Sequence, residues 1–253
     1  ILAGGTDLYP SAGETLIGAI VDVTAIPDLR GFRPHNGGLR IGACTTWSDI
    51  AEADLPGGLV ALQQAALQVG GRQIQNAGTI GGNLCNASPA ADGIPPLLAC
   101  RAEVELTGPL GRREVQLADF LAGPRQTTLG SGEMMTGILI PPSGLQGKSH
   151  FLKLGARAYL VISIAMVAVR LITEGDRIRS AALAVGSCGP VACRLPGVER
   201  ALSGLRRADA AAAIRATDVA AALAPIDDIR ATAAYRLEAA TELLRRAVAE
   251  VLA

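Results

Sequence analysis

The hydrophobic pattern of the first half of the chain alternates short apolar runs with helical segments. Residues 16–23 and 39–41 are apolar runs bounded by turn residues, and each run predicts a short strand. A capped start at residues 46–54 and apolar positions that recur at helical spacing over residues 57–70 predict two helices. The alternating run at residues 102–107 predicts a further strand. The first half is therefore expected to mix α and β structure.

The second half of the chain has a different pattern. Three runs rich in apolar and β-branched residues, at 151–154, 160–172 and 178–187, predict strands. Residues 195–253 are rich in alanine and predict helices, the last of which carries an apolar stripe on one face. The proline cluster at residues 141–144 separates the two patterns, so a domain boundary is predicted there.

Composition excludes several classes of function. The chain has 253 residues, enough to bury a sizeable core, and its 23 basic and 23 acidic residues leave no net charge to attract nucleic acid or an anionic membrane. No apolar stretch reaches the roughly 18 to 20 residues that a membrane span needs. No signal peptide is visible at the start of the sequence. The sequence thus predicts a protein that neither binds nucleic acid nor spans a membrane.

Cysteine and histidine offer few catalytic or metal-binding candidates. Five cysteines at irregular spacings, with no CxxC pair, argue against a disulfide framework or a metal site and favour a reducing cytoplasm. Neither of the two histidines lies in a recognisable nucleophile motif, so a hydrolytic triad is not expected. Among the 23 basic residues only Lys148 and Lys153 are lysines, which draws attention to both.

Two glycine-rich segments carry the strongest chemical signal. The first glycine loop, AGGTD at residues 3–7, would leave consecutive backbone N–H groups unobstructed, which suits a diphosphate. The second glycine loop, GTIGGNLCNASPAAD at residues 78–92, adds short polar side chains that can reach phosphate or ribose oxygens. Neither loop has the spacing of a Rossmann fingerprint or a P-loop, so neither of those nucleotide sites is predicted.

The two glycine loops, in this order, closely resemble the FAD-binding (medium) subunit of the molybdenum hydroxylases, the family of xanthine dehydrogenase and carbon monoxide dehydrogenase. The resemblance spans nearly the whole chain. It is carried by AGGTDL at 3–8, GTIGGNLCNASPAAD at 78–92, GEMMTGILIP at 132–141, KLGAR at 153–157 and the YR pair at 235–236 that begins the terminal helix.

The resemblance implies an α+β fold with two domains. A PCMH-type FAD-binding domain is expected over residues 1–147, followed over residues 148–253 by a small C-terminal domain of a three-stranded antiparallel sheet and helices. The family normally carries a further α/β segment before the first glycine loop, so that N-terminal segment is expected to be missing here. No cysteine-rich insertion is present, and no additional iron-sulfur cluster is expected in this chain.

The resemblance also implies which residues hold a noncovalent FAD. They are Ile1, Leu2, Ala3, Gly4, Gly5, Thr6, Asp7, Thr79, Gly82, Asn83, Asn86, Asp92, Met135 and Lys153. Asp92 would accept hydrogen bonds from the cofactor. Lys153 would take the catalytic role, because a cation near the flavin ring stabilises the negative charge of its reduced form. Val69 and Ile162 would flank the two faces of the ring.

Three of these residues have simpler interpretations. Asp92 could cap a helix that begins after Gly93, since aspartate is a favoured cap. Met135 could be ordinary core packing. Lys153 could be a solvated surface lysine near the start of a strand. The sequence alone leaves these alternatives open.

The function implied by the resemblance is electron transfer. FAD would take electrons from a [2Fe-2S] small subunit, fed by a large subunit that carries the molybdenum cofactor, and pass them to NAD⁺, quinone or dioxygen. The chain would then be part of a hetero-oligomer. One alternative is a free-standing flavin-dependent oxidase or reductase of the same fold, for which Cys85 is the nearby candidate for covalent attachment. Another is a cofactor-free scaffold whose glycine loops serve only as turns.

Overall fold

A computed structural model describes residues 1–13, 18–158 and 160–253, and it contains two larger antiparallel sheets with helices packed on them. The helices are α1 (Leu8–Ser11), α2 (Trp47–Glu52), α3 (Val60–Ala66), α4 (Arg72–Ala77), α5 (Ile80–Asn86), α6 (Ile94–Ala99), α7 (Leu117–Phe120), α8 (Pro142–Leu145), α9 (Pro196–Leu202), α10 (Ala216–Ala220) and α11 (Ala233–Leu252). The strands are β1 (Phe32–His35), β2 (Gly38–Gly42), β3 (Glu103–Gly108), β4 (Gly111–Gln116), β5 (Leu121–Gly123), β6 (Gln126–Thr127), β7 (Met134–Ile140), β8 (Lys148–Leu154), β9 (Ala165–Glu174), β10 (Arg177–Gly186) and β11 (Cys193–Arg194).

The first sheet has the strand order β1-β2-β7-β3-β4. Alternate residues of its central strands form one buried face, where Ile41, Ile138 and Val104 lie side by side across β2, β7 and β3. Helices α2, α3, α5 and α6 contribute side chains to the same core. This arrangement places the second glycine loop over the sheet, because α5 lies within that loop.

The second sheet has the strand order β11-β10-β9-β8. Strands β9 and β10 form a long hairpin, with Gly175 (φ 56°) at its turn. Helix α11 packs on this sheet through the apolar stripe expected from the sequence, whose residues Ala240, Leu244, Ala247 and Val251 are all buried. The three predicted strands are therefore present, and the two-residue strand β11 extends the sheet.

Small side chains bring the helices of the first domain close to the second sheet. A buried cluster joins α3 and α6 to β8, β9 and β10, and its members are Ala61, Ala65, Ala99, Phe151, Met166, Ala168 and Ala182. Alanine at most of these positions lets the helix backbones approach the sheet closely. Through this cluster the second sheet packs directly against the helices of the first domain.

Some predicted elements differ from the observed ones. Residues 78–92 were expected to be a loop, yet they contain α5, which the cap residue Thr79 begins. Strand β9 begins at Ala165 rather than at residue 160. Of the strand predicted at residues 16–23, Leu16 and Ile17 lie outside the described residues, and Asp22 forms an isolated bridge with Leu2.

Arg170 on β9 is a buried cation without a carboxylate partner among the described residues. Its side chain donates hydrogen bonds to the carbonyl oxygens of Ala99 (2.9 Å), Ser143 (2.8 Å) and Gln146 (3.2 Å). Burial lowers the pKa of Arg170. Because Ala99 ends α6, the guanidinium also meets the negative end of that helix. Arg170 thus fastens both α6 and the segment between the domains to β9.

We expect Arg170→Met to lower the free energy of unfolding by about 2–4 kcal/mol, because it leaves buried carbonyl oxygens without donors. Arg179→Met on the neighbouring strand is the matched control. The Arg179 side chain is exposed and makes one long hydrogen bond of 3.4 Å, so this change should cost less than about 0.5 kcal/mol. Urea denaturation of both variants measures the difference, and equal losses would contradict the role of Arg170.

Candidate functional site

The two glycine loops meet in the structure and form the walls of one cavity. Its volume is about 330 Å³, which falls within the range of roughly 300–1,000 Å³ typical of small-molecule sites. The lining residues are Ile1, Leu2, Ala3, Gly4, Gly5, Thr6, Asp7, Leu8, Trp47, Val69, Ile74, Gly78, Thr79, Gly82, Asn83 and Asn86. Every predicted site residue of the two loops except Asp92 lines this cavity.

Glycine is required twice in the first glycine loop, for different reasons. Gly5 has φ 67°, a left-handed conformation that other residues rarely adopt, and a Cβ there would overlap the ring of Tyr9. Gly4 lies directly against the carbonyl oxygen of Ala77, which a Cβ would also overlap. Because Ala77 immediately precedes the second glycine loop, this close approach holds the two loops together.

The second glycine loop is ordered by the short helix α5. The hydroxyl of Thr79 accepts a hydrogen bond from the Gly82 N–H (3.1 Å), which caps the helix. Gly81 packs against Ala43, where a Cβ would have no room. Gly82 instead borders the cavity, and a Cβ there would lie 2.9 Å from Thr79 Oγ1, the atom that caps α5. A side chain at position 82 would therefore crowd this cap and reduce the space in the cavity.

Trp47 forms a wall of the cavity that the sequence pattern does not identify. It begins α2, whose start is fixed by a capping box between Thr46 and Asp49. The ring lies against Gly78, the first residue of the second glycine loop, and Gly93, which follows its last residue, and a Cβ at Gly93 would overlap the ring. The cap in the sequence indicates where the helix starts. It does not indicate which loop the tryptophan supports.

One atom of the Asn83 side chain, the amide oxygen Oδ1, lacks a hydrogen-bond partner among the described residues. This oxygen is also buried. A buried acceptor in that state costs roughly 1–3 kcal/mol unless a bound group donates to it. Asn83 lines the cavity, so a ligand hydroxyl, such as that of a ribityl chain, fits this position.

Asp92 and Lys153 form a buried ion pair where the two domains meet. Lys153 Nζ donates to Asp92 Oδ2 at 2.7 Å, and the hydroxyl of Ser163 donates to Oδ1 at 2.8 Å. The two charged side chains are only 9% and 8% exposed. Burial raises the pKa of Asp92, although the charge of Lys153 and the two hydrogen bonds act in the opposite direction. The pair joins the end of the second glycine loop to β8.

This geometry decides between alternatives that the sequence left open. Helix α6 has Gly93 as its N-cap and no side-chain cap, so the interpretation of Asp92 as a helix cap is wrong. The interpretation of Lys153 as a solvated surface lysine is also wrong, because its ammonium contacts Asp92 and the carbonyl oxygen of Gln68 (3.4 Å). The carboxylate of Asp92 partly offsets any positive charge that Lys153 presents to a ligand.

Helix α11 supports the same region through Arg236, which is 3% exposed. Its guanidinium donates to the carbonyl oxygens of Ile164 (2.6 Å) and Ser187 (3.0 Å). Ile164 follows the serine that binds Asp92, and the Ser187 N–H donates to the carbonyl oxygen of Pro89 in the second glycine loop (2.9 Å). The YR pair draws attention to Arg236 in the sequence. It does not reveal that the guanidinium contacts the segments next to Asp92 and the second glycine loop.

The remaining predicted residues lie in three different places. Val69 lines the cavity. Ile162 is 53% exposed. Met135 is buried in β7 opposite Leu106, in the core of the first sheet, as ordinary packing would place it. The cofactor contacts expected of Val69, Ile162 and Met135 stay predictions.

A hydrogen-bonded chain runs from the cavity to an arginine that the sequence pattern does not identify. The side-chain amide of Asn86 donates to Asp7 (3.1 Å), and Arg125 donates to Asn86 Oδ1 (2.6 Å). Arg125 lies in the turn between β5 and β6, and its backbone N–H donates to the carbonyl oxygen of Ala87 (2.9 Å). No local pattern reveals that this hairpin packs at the end of α5.

The lining of the cavity offers few side chains that commonly act in acid–base or nucleophilic catalysis. Its lining residues include no histidine, cysteine, lysine or arginine, and Asp7 is the single carboxylate among them. Among residues 1–13, 18–158 and 160–253, no cluster of three or more His, Cys, Asp or Glu side chains could hold a metal ion. None of the helices that the structure describes combines the length and the apolar character needed to cross a membrane.

Comparisons with known proteins agree with this geometry. The family model described as the FAD binding domain in molybdopterin dehydrogenase matches residues 1–143, and the one described as the CO dehydrogenase flavoprotein C-terminal domain matches residues 150–251. The glyceraldehyde dehydrogenase medium chain of Sulfolobus acidocaldarius is 31% identical, over 99% of this chain and 89% of its own length. The carbon monoxide dehydrogenase medium chain of Afipia carboxidovorans is 34% identical, over 98% of this chain and 86% of its own.

A solved structure has the same fold. A chain of the carbon monoxide dehydrogenase from Hydrogenophaga pseudoflava, in a form that lacks the Mo-pyranopterin moiety of the molybdenum cofactor, superposes with a TM-score of 0.87 at 29% identity. The match covers 98% of this chain and 87% of that one.

We expect Lys153→Met to lower the free energy of unfolding of the flavin-free chain by about 3–5 kcal/mol, because the Asp92 carboxylate would stay buried without its counter-charge. The double variant with Asp92→Leu should recover part of this loss, since it removes both charges. Lys148→Met, at the exposed start of β8, is the control and should change stability by less than about 0.5 kcal/mol. Equal stability of the two lysine variants in urea denaturation would show that the pair contributes nothing.

Proposed function

Because the chain belongs to the family of FAD-binding medium subunits of molybdenum hydroxylases, we propose that it relays electrons through a noncovalently bound FAD. The observation that carries this proposal is the meeting of the two glycine loops around one cavity. The loop residues that line it are small or carry short polar side chains, which suits the approach of a diphosphate to backbone N–H groups. Two such loops suit the diphosphate of a dinucleotide better than the single phosphate of FMN.

Bound FAD would supply the redox chemistry, and the residues of this chain would bind and orient it. The two loops would hold the diphosphate, while Thr79 and Asn83 would reach its hydroxyl groups. Lys153 would act on the flavin ring, with a positive charge that favours the reduced, anionic form. Asp92 fixes the position of that ammonium, and its negative charge weakens the electrostatic effect of Lys153 on the flavin. No residue needs to act as a general base, which agrees with the absence of histidine from the lining of the cavity.

We further propose that the electrons come from a [2Fe-2S] small subunit and, before that, from a large subunit that carries the molybdenum cofactor. The acceptor would be NAD⁺, quinone or dioxygen. The chain would work in a hetero-oligomer of these three kinds of subunit, with residues 1–147 binding FAD and residues 148–253 forming the C-terminal flavoprotein domain. Five cysteines without a disulfide are consistent with the cytoplasm as its compartment.

Two alternatives find less support. In a covalent flavin oxidase Cys85 would have to attack the cofactor. Burial raises the pKa of its thiol to about 11, which leaves little of the reactive thiolate, and Cys85 does not line the cavity. A cofactor-free scaffold does not explain why Asn83, which lines the cavity, keeps a buried Oδ1 without a hydrogen-bond partner among the described residues.

Acid precipitation of the purified, yellow chain should release about one FAD per chain, because the cofactor is held by noncovalent contacts. Chromatography of the supernatant identifies the flavin. FMN in the supernatant would exclude a dinucleotide site, and yellow colour retained in the pellet would indicate a covalent link. A chain purified without flavin and unable to take up FAD would support the scaffold alternative.

Gly82→Val should weaken FAD binding at least about tenfold, because Gly82 borders the cavity and a valine side chain would reduce the space there. Gly197→Val is the matched control, since Gly197 is an exposed glycine with open space around it. Titration of flavin-free protein can be followed through Trp47, the single tryptophan of the chain and a wall of the cavity. If both variants bind FAD like the wild type, the cavity is not the FAD site.

Lys153→Met should lower the two-electron potential of the bound flavin and Asp92→Asn should raise it, because the two charges act on the reduced ring with opposite sign. A shift of some tens of millivolts is expected, since about 30 mV corresponds to about 1.4 kcal/mol for a two-electron couple. Lys148→Met is the control and should leave the potential unchanged. Spectroelectrochemical titration of the FAD-bound proteins measures all three. Equal potentials in all of these proteins would show that the ion pair does not lie near the flavin ring.

A further inference from the structure

Arg125 adopts a backbone conformation that does not suit an arginine. It has φ 55° and follows Pro124 in the two-residue turn between β5 and β6, which is closed by the pairing of Gly123 with Gln126. Proline at the first position and a positive φ at the second is the arrangement in which glycine or asparagine is favoured. An arginine at this position is strained, and strain of this kind often marks a functional residue.

The contribution of Arg125 to the fold does not require its side chain. Its backbone N–H donates to the carbonyl oxygen of Ala87 (2.9 Å), which any residue except proline could do. The guanidinium is exposed and, among the described residues, pairs with no carboxylate. The guanidinium donates a hydrogen bond to Asn86 Oδ1 at 2.6 Å. Glycine would suit the backbone at this position without strain.

That hydrogen bond fixes the orientation of an amide in the cavity wall. Arginine has only donors, so the oxygen of the Asn86 amide must face it and the nitrogen must point the other way. The nitrogen donates one hydrogen to Asp7 Oδ1 (3.1 Å), which leaves its second hydrogen for a ligand. Without Arg125 the amide could turn over and present its oxygen instead.

The charge of Arg125 also matters at this place. Asp7 is a carboxylate in the lining of a cavity whose other lining residues include no lysine or arginine. A diphosphate bound there would be repelled by Asp7. Arg125 is linked to Asp7 through Asn86, so its positive charge would oppose this repulsion.

We propose that Arg125 is a positioning residue for the diphosphate of FAD, which acts by orienting the amide of Asn86 and by offsetting the charge of Asp7. This inference rests on the proposed function. It predicts opposite effects of one substitution: Arg125→Gly relieves backbone strain and should raise the temperature of unfolding, yet it should weaken FAD binding. A residue that only supported the fold would lose stability and affinity together.

Arg101→Gly is a matched control that the chain itself offers. Arg101 also has a left-handed backbone (φ 57°), in this case just after α6, and it does not line the cavity. Glycine is favoured at such a position after a helix. The change should therefore raise the unfolding temperature in the same way, while FAD affinity stays at the wild-type value.

The experiment compares wild type, Arg125→Gly, Arg125→Lys and Arg101→Gly as flavin-free proteins. Thermal unfolding gives the stability, and quenching of Trp47 fluorescence on titration with FAD gives the affinity at several salt concentrations. Arg125→Gly should bind FAD about tenfold more weakly, with a smaller dependence on salt because one cation is lost. Arg125→Lys keeps a charged donor and should recover part of the affinity.

Two results would overturn the inference about Arg125. Wild-type affinity and salt dependence in Arg125→Gly would show that the guanidinium does not act on the site, and a joint loss of stability and affinity would show that its role is structural. Failure of the proposed function gives a different result, because the wild-type chain itself would then bind no FAD, and the role of Arg125 would fall with it.

Discussion

A carboxylate inside a protein must be paired, and the pairing of Asp92 with Lys153 links the main parts of this molecule. Asp92 ends the second glycine loop, Lys153 belongs to β8, and Ser163 comes just before β9. Because an unpaired buried charge costs several kcal/mol, these three segments are stable only in the arrangement that keeps the carboxylate satisfied. The ion pair therefore fixes the end of the second glycine loop against the second sheet.

Around the ion pair, the site depends on close approach of backbone to backbone. Gly4 packs against the carbonyl oxygen of Ala77, and Gly81 packs against Ala43. Such contacts bring main-chain groups and the short polar side chains of the two loops to the cavity, beside apolar walls that include Trp47. Asp7 is the carboxylate in the lining, while Arg125 and Lys153 lie outside it and donate hydrogen bonds to Asn86 and Asp92. A site of this kind can hold and tune a redox cofactor without taking part in proton chemistry.

The sequence by itself determined the features that local patterns encode. Alternation and helical spacing predict the three long strands of the second sheet and the buried stripe of α11, because burial of one face imposes a period on the sequence. The two glycine loops identify the family and the cofactor, since their order and composition are specific. In the structure residues 1–7 and Thr79, Gly82, Asn83 and Asn86 line one cavity.

Tertiary structure alone decided the elements and contacts that link distant parts of the chain. The glycines and asparagines of α5 argue against a helix, which forms because Gly81 fits against Ala43 and the loop is held in place at both ends. The pairing of Asp92 with Lys153 and the packing of the Arg125 turn at the end of α5 follow from the meeting of separate segments. Periodicity and propensity describe neighbours along the chain, whereas these contacts arise only when folding brings distant residues together and burial requires each polar group to find a partner.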